Sequence, residues 1–285
     1  MSCWPTRVTA SISVGASIGD HVIDLHCHIL PGIDDGAPDI DLSLAMARRA
    51  VDDGITITAC TPHIMPGYYE NTGPGIREHV KALQKVLDEN GIPLKLTTGA
   101  DVHLVTDLVS GLKSGRILSL ADSRYFLFEP PHNVAPPRMM DSIFDVMSAG
   151  YIPIITHPER LRWIEEQYEV MGQAVHNGAW IQLTAASVTG KFGKRAQYWS
   201  DRMLDEGLVH ILATDAHNMR TRSPILSEAV EAVSKRLGED AARDMVFTRP
   251  QAVLDNVSPS TLAPPEGAPT ANSRPGFFKR LFNAA

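Results

Sequence analysis

The chain has 285 residues, of which 44% are hydrophobic and 21% are charged, and this supplies enough apolar surface for a large core. The composition argues against an intrinsically disordered chain and against a small domain held together by disulfides. The formal net charge of -7 argues against a nucleic-acid partner, which would require a basic surface.

The cysteines and the hydropathy pattern indicate the compartment. Cys3, Cys27 and Cys60 are too few and too scattered for a disulfide framework, and no Cys-x-x-Cys metal motif occurs. No apolar run approaches the roughly 18 residues that a bilayer crossing requires. The sequence therefore predicts a protein of the reducing cytoplasm, without a membrane span.

Residues 1–20 are predicted to form a loose N-terminal extension, because Ser and Gly dilute their apolar stretch. From residue 21 to 257, short β-rich runs alternate with longer segments of helical period, which predicts one α/β domain with a parallel sheet or barrel. The predicted strands are His21–His26, Thr56–Cys60, Leu94–Thr98, Tyr125–Phe128, Ile152–Thr156, Trp180–Leu183 and Val209–Ala213. The predicted helices are Ile40–Asp52, Ile76–Asn90, Asp141–Ala149, Trp163–His176, Lys194–Glu206 and Pro224–Leu237. Left-handed caps are predicted at five helix ends, at Gly54, Gly91, Gly150, Gly178 and Gly207.

Residues 258–285 are rich in Pro, Ala, Ser and Gly and are predicted to form a flexible tail. The tail ends in an aromatic and basic cluster, Phe277–Phe282. Two interpretations of this cluster stay open: it contacts a partner or an anionic lipid surface, or it is a solvated terminus without a role.

Histidines and acidic residues gather at the carboxyl ends of the predicted strands. His26 and His28 lie two residues apart in an extended segment, which places both imidazoles on the same face. In a parallel barrel such positions converge on the carboxyl-terminal rim, where active sites are built. The other candidates follow later strands and are His63, Asp101, Glu129, His157, Asp215 and His217.

These residue types predict a catalytic metal centre. Imidazole nitrogen combined with carboxylate oxygen suits Mn, Fe or Zn better than Ca or Mg. Burying so many titratable groups without metal would cost on the order of several kcal/mol each. His103, two residues after Asp101, is left outside the ligand set, and Cys27 is expected to face away from the site as a small buried hydrophobe.

Six motifs in this order resemble those of the polymerase and histidinol phosphatase (PHP) superfamily, and more narrowly its manganese-dependent bacterial protein-tyrosine phosphatases of capsule and exopolysaccharide systems. The motifs are Asp24–His28 with the following Leu30–Gly36, Thr61–His63, Gly99–Asp101, Ser123–Glu129, His157–Arg160, and Asp215–Asn218 with Arg222. The similarity extends from about Val22 to Asn256.

The resemblance implies a distorted (β/α)7 barrel of the PHP type with three divalent metal ions, of which Mn is expected and Fe or Zn are alternatives. Its implied ligands are nine residues: His26, His28, Asp35, His63, Asp101, Glu129, His157, Asp215 and His217. Arg160 and Arg222 correspond to phosphate-binding arginines, and guanidinium groups bind phosphate oxygens bidentately. Two features depart from the family pattern. Asp101 stands where the family usually has Glu, and the shorter side chain is expected to affect the occupancy of one metal position. In addition, about twenty residues precede the first motif.

The resemblance also implies the reaction, which is hydrolysis of phosphotyrosine on a bacterial tyrosine kinase that regulates polysaccharide synthesis. Water activated by the metals would attack phosphorus, and Asp215 or a metal-bound water would protonate the leaving phenolate. The loop Met65–Glu70 is expected at the same rim, either contacting a peptide ring or as ordinary surface. The alternatives are a PHP phosphoesterase acting on a small substrate such as histidinol phosphate, and a noncatalytic regulator.

Overall fold

A computed structural model describes residues 21–267. Nine strands occur within these residues: β1 (Val22–Cys27), β2 (Ile55–Cys60), β3 (His63–Ile64), β4 (Lys95–Thr98), β5 (Asp101–His103), β6 (Tyr125–Glu129), β7 (Ile152–Thr156), β8 (Trp180–Thr184) and β9 (Ile211–Ala213). The same stretch contains ten α-helices: α1 (Ile40–Asp52), α2 (Gly73–Glu89), α3 (Leu108–Ser114), α4 (Met139–Ser148), α5 (Tyr168–His176), α6 (Ala185–Val188), α7 (Lys194–Asp205), α8 (Ser227–Leu237), α9 (Glu239–Arg243) and α10 (Arg249–Leu254). A π-helical turn, Asp244–Thr248, links the last two.

All strand pairs are parallel, and they form two sheets with the orders β1-β2-β4 and β3-β5-β6-β7-β8-β9. The sheets are continuous along the chain, because β2 leads into β3 and β4 into β5 after two intervening residues each. At the opposite edge, the Asp215 N–H donates to the His26 carbonyl (2.8 Å) and the His28 N–H donates to the Ala216 carbonyl (2.9 Å). The chain after β9 therefore lies beside the end of β1, so that seven strand positions follow one another side by side.

The prediction of an α/β fold of parallel strands is confirmed, and each predicted strand and helix has a counterpart. All five predicted capping glycines have positive φ, from 65° at Gly91 to 101° at Gly178. The sequence pattern does not indicate β3 and β5, because each is only two or three residues long and follows an interruption in its strand. Helix α5 begins at Tyr168 instead of Trp163, since the Trp163 indole N–H donates to the Pro131 carbonyl (2.8 Å) in the preceding loop.

Two hydrophobic clusters support the site. The larger one lies between strands and helices and includes Met46 of α1, Leu83 of α2 and Met203 of α7. The smaller one joins residues of several strands to Val253 of α10, among them Ile23 of β1. Full burial of each such side chain stabilises the fold by about 1.5–3 kcal/mol, which makes the strand ends a rigid support for polar groups.

The ordered chain continues beyond residue 257, which differs from the prediction of a flexible tail from Ser258. Pro259–Thr261 forms a short 3-10 helix, Leu262 packs against the smaller hydrophobic cluster, and Arg249 donates to the Ala263 carbonyl (3.4 Å). These contacts order residues 258–267 despite their proline-rich composition. The predicted N-terminal extension, residues 1–20, and the rest of the predicted tail, with the Phe277–Phe282 cluster, lie outside the described residues. Between residues 21 and 267, none of the helices combines the length and hydrophobicity of a bilayer crossing.

Candidate metal centre

The nine predicted ligand positions converge on one cluster at the carboxyl ends of the strands. Eight of the nine side chains are buried, and Asp35 is the exception, with 44% of its side chain exposed. Asp35 Oδ1 lies 3.4 Å from His63 Nε2 and 3.3 Å from His217 Nε2, so this carboxylate closes the cluster toward solvent. Residues that are up to 191 positions apart in sequence, His26 and His217, thus meet within one cluster.

Strand register places the residues of the middle strands against one another. His63 on β3 pairs with Asp101 on β5, and His103 at the end of β5 pairs with Glu129 at the end of β6. As a result, His63 Nδ1 lies 3.5 Å from Asp101 Oδ2 and 3.3 Å from Glu129 Oε2. Parallel pairing therefore produces an alternation of imidazole and carboxylate across the rim.

The first two histidines present nitrogen lone pairs to each other. The His26 Nδ1–H donates to Gln182 Oε1 (2.9 Å), and the His28 Nδ1–H donates to Asp34 Oδ2 (2.8 Å). Both Nε2 atoms then lack hydrogen in the neutral tautomers, yet they lie only 3.1 Å apart. Donation from one ring nitrogen to a protein oxygen is the arrangement that orients metal-binding histidines, and two facing lone pairs favour a cation between them.

Unpartnered buried polar atoms show that the site fits metal ions. Seven side-chain atoms on six predicted ligands are buried without a hydrogen-bond partner: His63 Nδ1, Asp101 Oδ1 and Oδ2, Glu129 Oε2, His157 Nδ1, Asp215 Oδ1 and His217 Nε2. Each such atom costs about 1–3 kcal/mol when it is left unsatisfied. Their convergence is explained if cations supply the missing partners, and the mixed nitrogen and oxygen set suits Mn, Fe or Zn.

Five overlapping groups of side chains within residues 21–267 have donor atoms close enough to hold an ion. They are His28, Asp35, His63 and His217; His26, His28 and Asp101; His26, His157 and Asp215; His63, His103 and Glu129; and Glu129, His132 and His157. A ring nitrogen binds one ion, whereas a carboxylate bridges two through its two oxygens. The groups share His26, His28, His63, Glu129 and His157, so the donor atoms form one connected cluster and not five separate ones.

The two predicted phosphate-binding arginines lie directly beside the cluster. Arg160 and Arg222 both pair with Asp215 Oδ2, the latter at 2.6 Å, and both are about four-fifths buried. Asp215 Oδ1 faces the other way, 3.4 Å from His26 Nε2. The Asp215 carboxylate thus connects the histidine cluster to the two arginines.

Backbone strain occurs at two of the predicted ligands. His157 and Asp215 have φ values of 35° and 49°, in the left-handed region that non-glycine residues rarely adopt. The first is supported by a turn in which buried Glu159 accepts a hydrogen bond from the Thr184 N–H (3.0 Å). The second follows Thr214, whose N–H donates to Asp24 Oδ1 (3.0 Å). Such strain is typical of functional sites that the surrounding structure holds in place.

The electrostatics of the protein alone favour positive charge within the cluster. Burial by itself would lower the pKa of His26, but the carboxylates of Asp101 and Asp215 outweigh it and raise that pKa to about 9. Burial also opposes the protonated form of His63, yet Glu129 and Asp101 raise its pKa to about 10. Burial, followed by the charge of Glu129, raises the pKa of Asp101. The site therefore attracts protons or cations.

Four residues at the site are absent from the predicted set. His103 and His132 both contact the Glu129 carboxylate, the second through Nε2 at 3.3 Å from Oε1. Asp34 and Gln182 orient the first two histidines. The spacing of His103 two residues after Asp101 was a usable signal, because alternate residues of a strand share a face; His132 lies in a loop and carries no such signal.

Two further predictions concern residues next to the ligands. Cys27 is buried and packs in the larger hydrophobic cluster, as predicted, and burial raises the pKa of its thiol. In the Met65–Glu70 loop, the Tyr69 ring stacks on the His63 ring at 5.6 Å between centroids, and Tyr68 is 77% exposed. The loop therefore borders the cluster, as expected.

Asp101→Glu is expected to leave the number of bound metal ions unchanged. Asp101 Oδ2 already lies 3.4 Å from His26 Nε2 and 3.5 Å from His63 Nδ1, so the shorter side chain reaches both sides of its position. The extra methylene would enter a fully buried position, and we expect kcat/KM to fall by up to about tenfold from overpacking. Metal content by atomic emission and turnover are measured together. An additional ion in Asp101→Glu would show that Asp101 limits occupancy.

Gly36→Ala is expected to weaken metal binding by about 10- to 100-fold. A Cβ at Gly36 would lie 2.1 Å from the His28 carbonyl oxygen and 2.5 Å from His28 Cβ, so the loop that carries Asp34 and Asp35 would have to move. Gly75→Ala is the control, because its Cβ would only reach ordinary contact with Thr72 at 3.6 Å. Metal dissociation constants are compared by titration, and wild-type affinity in Gly36→Ala would contradict the role of this loop.

Comparisons with known proteins agree with this geometry. The family model described as "Capsular polysaccharide synthesis, CpsB/CapC" matches residues 22–255. The chain is 38% identical to the tyrosine-protein phosphatase YwqE of Bacillus subtilis (strain 168) over 219 residues, which covers 77% of this chain and 86% of YwqE. It is 25% identical to the tyrosine-protein phosphatase CpsB of Streptococcus pneumoniae over 238 residues, which covers 82% of this chain and 98% of CpsB.

The chain also matches solved structures. A crystal structure from work on YwqE of B. subtilis and CpsB of S. pneumoniae, described as metal-dependent tyrosine phosphatases, matches with a TM-score of 0.81 and 35% identity. The match covers 87% of this chain and 99% of that one. A phosphotriesterase from Mycobacterium tuberculosis matches with a TM-score of 0.51 at 10% identity, covering 85% of this chain and 96% of that one, and shares the fold alone.

Proposed function

The chain belongs to the CpsB/CapC family of capsular polysaccharide synthesis, and from this premise we propose that it is a metal-dependent phosphatase that hydrolyses phosphotyrosine in proteins. One observation carries the proposal. A cluster of imidazoles and carboxylates with unpartnered buried atoms lies against two arginines that share a single carboxylate, Asp215. Metal cations and guanidinium groups side by side suit a phosphate monoester, whose dianion both would bind.

We assign the metal ions to the nine sequence-predicted ligands, with His103 and His132 as additional donors to the same site. Following the family resemblance, we propose three divalent ions, with Mn as the expected metal and Fe or Zn as alternatives; the extent of the donor cluster supports more than one ion. When bound, such ions supply Lewis acidity, which acidifies water and neutralises charge on phosphoryl oxygens. Asp35, the exposed member, borders the entrance through which a substrate approaches.

The chain's own cations bind and orient the phosphoryl group. Arg160 and Arg222 are about one-fifth exposed, so their guanidinium groups are accessible while Asp215 holds them in place. The Arg160 guanidinium also lies over the Phe192 ring, 5.1 Å from its centroid, which restricts its orientation. Two prepositioned forks stabilise the charge that develops on the equatorial oxygens, where most of the catalysis of phosphoryl transfer arises.

The rim favours an aryl phosphate carried by a protein. Tyr68 is exposed and Tyr69 stacks on His63, so aromatic surface borders the cluster and offers contact to a phosphotyrosine ring. The phenolate leaving group has a pKa near 10 and needs little protonation, so no strong general acid is required. Within capsule or exopolysaccharide systems, a tyrosine kinase of the same cytoplasm is the proposed source of the substrate. The two cysteines of the described chain, Cys27 and Cys60, are buried and unpaired, as suits a reducing compartment.

Phosphate release from two substrates tests the proposal. The full chain is stripped with chelator, reloaded with Mn and assayed on a phosphotyrosine peptide and on histidinol phosphate, in parallel with His26→Ala. We expect turnover of the peptide that exceeds turnover of histidinol phosphate and falls by about 10³-fold in His26→Ala, because a ligand to the metal site is lost. Faster turnover of histidinol phosphate would contradict the tyrosine phosphatase. Full metal binding without turnover of either substrate would favour a different phosphoester as substrate, and absence of both metal binding and turnover would favour a noncatalytic regulator.

A further inference from the structure

A second cationic feature lies next to the metal centre. A surface cleft of about 310 Å³ is bounded by α1, α6, α8 and the loops that follow α6 and β9. Its lining contains three basic side chains, from Arg49, Lys191 and Arg220, and one acidic side chain, from Glu228. None of these four residues belongs to the metal cluster, so the proposed reaction leaves the cleft without a role.

The basic side chains of the cleft are not equivalent. Lys191 Nζ lies 2.5 Å from Glu228 Oε2, so these two charges neutralise each other. Arg49 and Arg220 form no ion pair with an acidic side chain anywhere in the range 21–267. The cleft therefore carries two uncompensated guanidinium groups, and this side chain is the one best suited to bidentate binding of a carboxylate.

The cleft and the phosphate-binding arginines share their supporting loops. Arg220 lies two residues before Arg222, and two residues of extended chain span at most about 7 Å. Asn218 Oδ1 accepts the backbone N–H groups of both residues, at 2.9 and 3.2 Å, which holds this loop in a fixed turn. On the other loop, Lys191 directly precedes Phe192, whose ring lies beneath Arg160. A peptide whose phosphate contacts Arg160 and Arg222 would thus pass beside the cleft.

We propose that this cleft is a specificity pocket that binds the carboxylate of an aspartate or glutamate close to the phosphotyrosine of the substrate. The inference rests on the proposed function and deepens it. An extended peptide advances about 3.3–3.6 Å per residue, so an acidic residue within about three positions of the phosphotyrosine reaches Arg220. The Lys191–Glu228 ion pair forms one wall of the cleft, and the guanidinium groups of Arg49 and Arg220 bind the substrate carboxylate.

A set of three peptides tests the pocket. Three phosphotyrosine peptides differ only in the residues flanking the phosphotyrosine: glutamine on both sides, glutamate at the two preceding positions, or glutamate at the two following positions. For the Mn-loaded full chain, we expect kcat/KM about fivefold higher for one of the acidic peptides than for the glutamine peptide, which is the size of a partly exposed charge pair. In Arg220→Gln and Arg49→Gln this ratio is expected to fall below about twofold. Arg48→Gln is the matched control, because Arg48 is the exposed neighbour of Arg49 on α1 but does not line the cleft, and it keeps the wild-type ratio.

The outcomes separate this inference from the function on which it rests. Equal kcat/KM for all three peptides would overturn the pocket while leaving the phosphatase intact, as would a preference that Arg220→Gln and Arg49→Gln both retain. If no peptide is hydrolysed, the proposed function fails, and dissociation constants of the same peptides carrying a nonhydrolysable phosphonate in place of phosphate decide the pocket. A tighter acidic peptide whose advantage is lost in Arg220→Gln would support it, and equal dissociation constants would overturn it.

Discussion

Asp215→Asn is expected to lower kcat/KM on a phosphotyrosine peptide by about 10³-fold, the largest effect of any single conservative substitution at the site. Asp215 Oδ1 is buried without a hydrogen-bond partner and lies 3.4 Å from His26 Nε2, as a metal ligand would, whereas Oδ2 holds Arg160 and Arg222. An amide is a weaker ligand and carries no charge for the two guanidinium groups. Metal content and turnover are measured on the same preparation, and we expect both to fall.

The backbone at this position does not account for the expected loss. Asp215 has φ of 49°, and Asn adopts the left-handed region as readily as Asp. Thermal unfolding therefore checks that the variant is folded, and Asp88→Asn, at an exposed position on α2, is the control for the amide substitution. Turnover within about tenfold of wild type, with full metal content, would contradict the central position of Asp215.

Arg160→Ala and Arg222→Ala are each expected to lower kcat/KM by about 10²- to 10³-fold, the effect of removing one prepositioned donor from a developing oxyanion. Neither arginine is among the donor groups for metal, so the metal content of both variants should match wild type. This separation of metal binding from turnover distinguishes phosphate-binding residues from ligands.

Lysine variants of the two arginines and an alanine variant of a neighbouring arginine serve as controls for this prediction. Lys keeps the charge but lacks the planar fork, so Arg160→Lys and Arg222→Lys should recover only part of the loss. Arg162, two residues after Arg160, is exposed, and Arg162→Ala should retain wild-type turnover. Loss of metal in Arg160→Ala or Arg222→Ala would instead indicate that the arginines act by maintaining the cluster.

The strand-end positions of the proposed ligands could be predicted from sequence because they depend on local pattern. His26 and His28 fall on one face of an extended segment, and the strands that follow are short apolar runs with clear boundaries. The prediction that their carboxyl ends converge requires only that the strands are parallel. The glycines at the helix ends independently indicated the alternation of helices and strands along the chain.

The remaining features depend on contacts that are distant in sequence. His132 reaches Glu129 from a loop whose path is held by the Arg162 N–H donating to the His132 carbonyl (3.0 Å). His103 faces the site because β5 restarts the strand at Asp101 in register with β3. Leu262 orders the start of the proline-rich segment through a long-range apolar contact. The contacts of His132 and Leu262 do not follow from composition or periodicity, since both depend on the packed tertiary structure, and for His103 the alternation of strand residues indicates only the face on which it lies.

The metal dependence of phosphotyrosine hydrolysis tests the account most directly. Chelator-stripped full chain is titrated with Mn, and bound metal per chain and phosphate released from a phosphotyrosine peptide are measured at each step. We predict that the stripped protein is inactive and that turnover rises with metal binding to a plateau at about three ions per chain, the number proposed above from the family resemblance. Full turnover by the stripped protein, or saturation with metal that brings no turnover, would contradict the account.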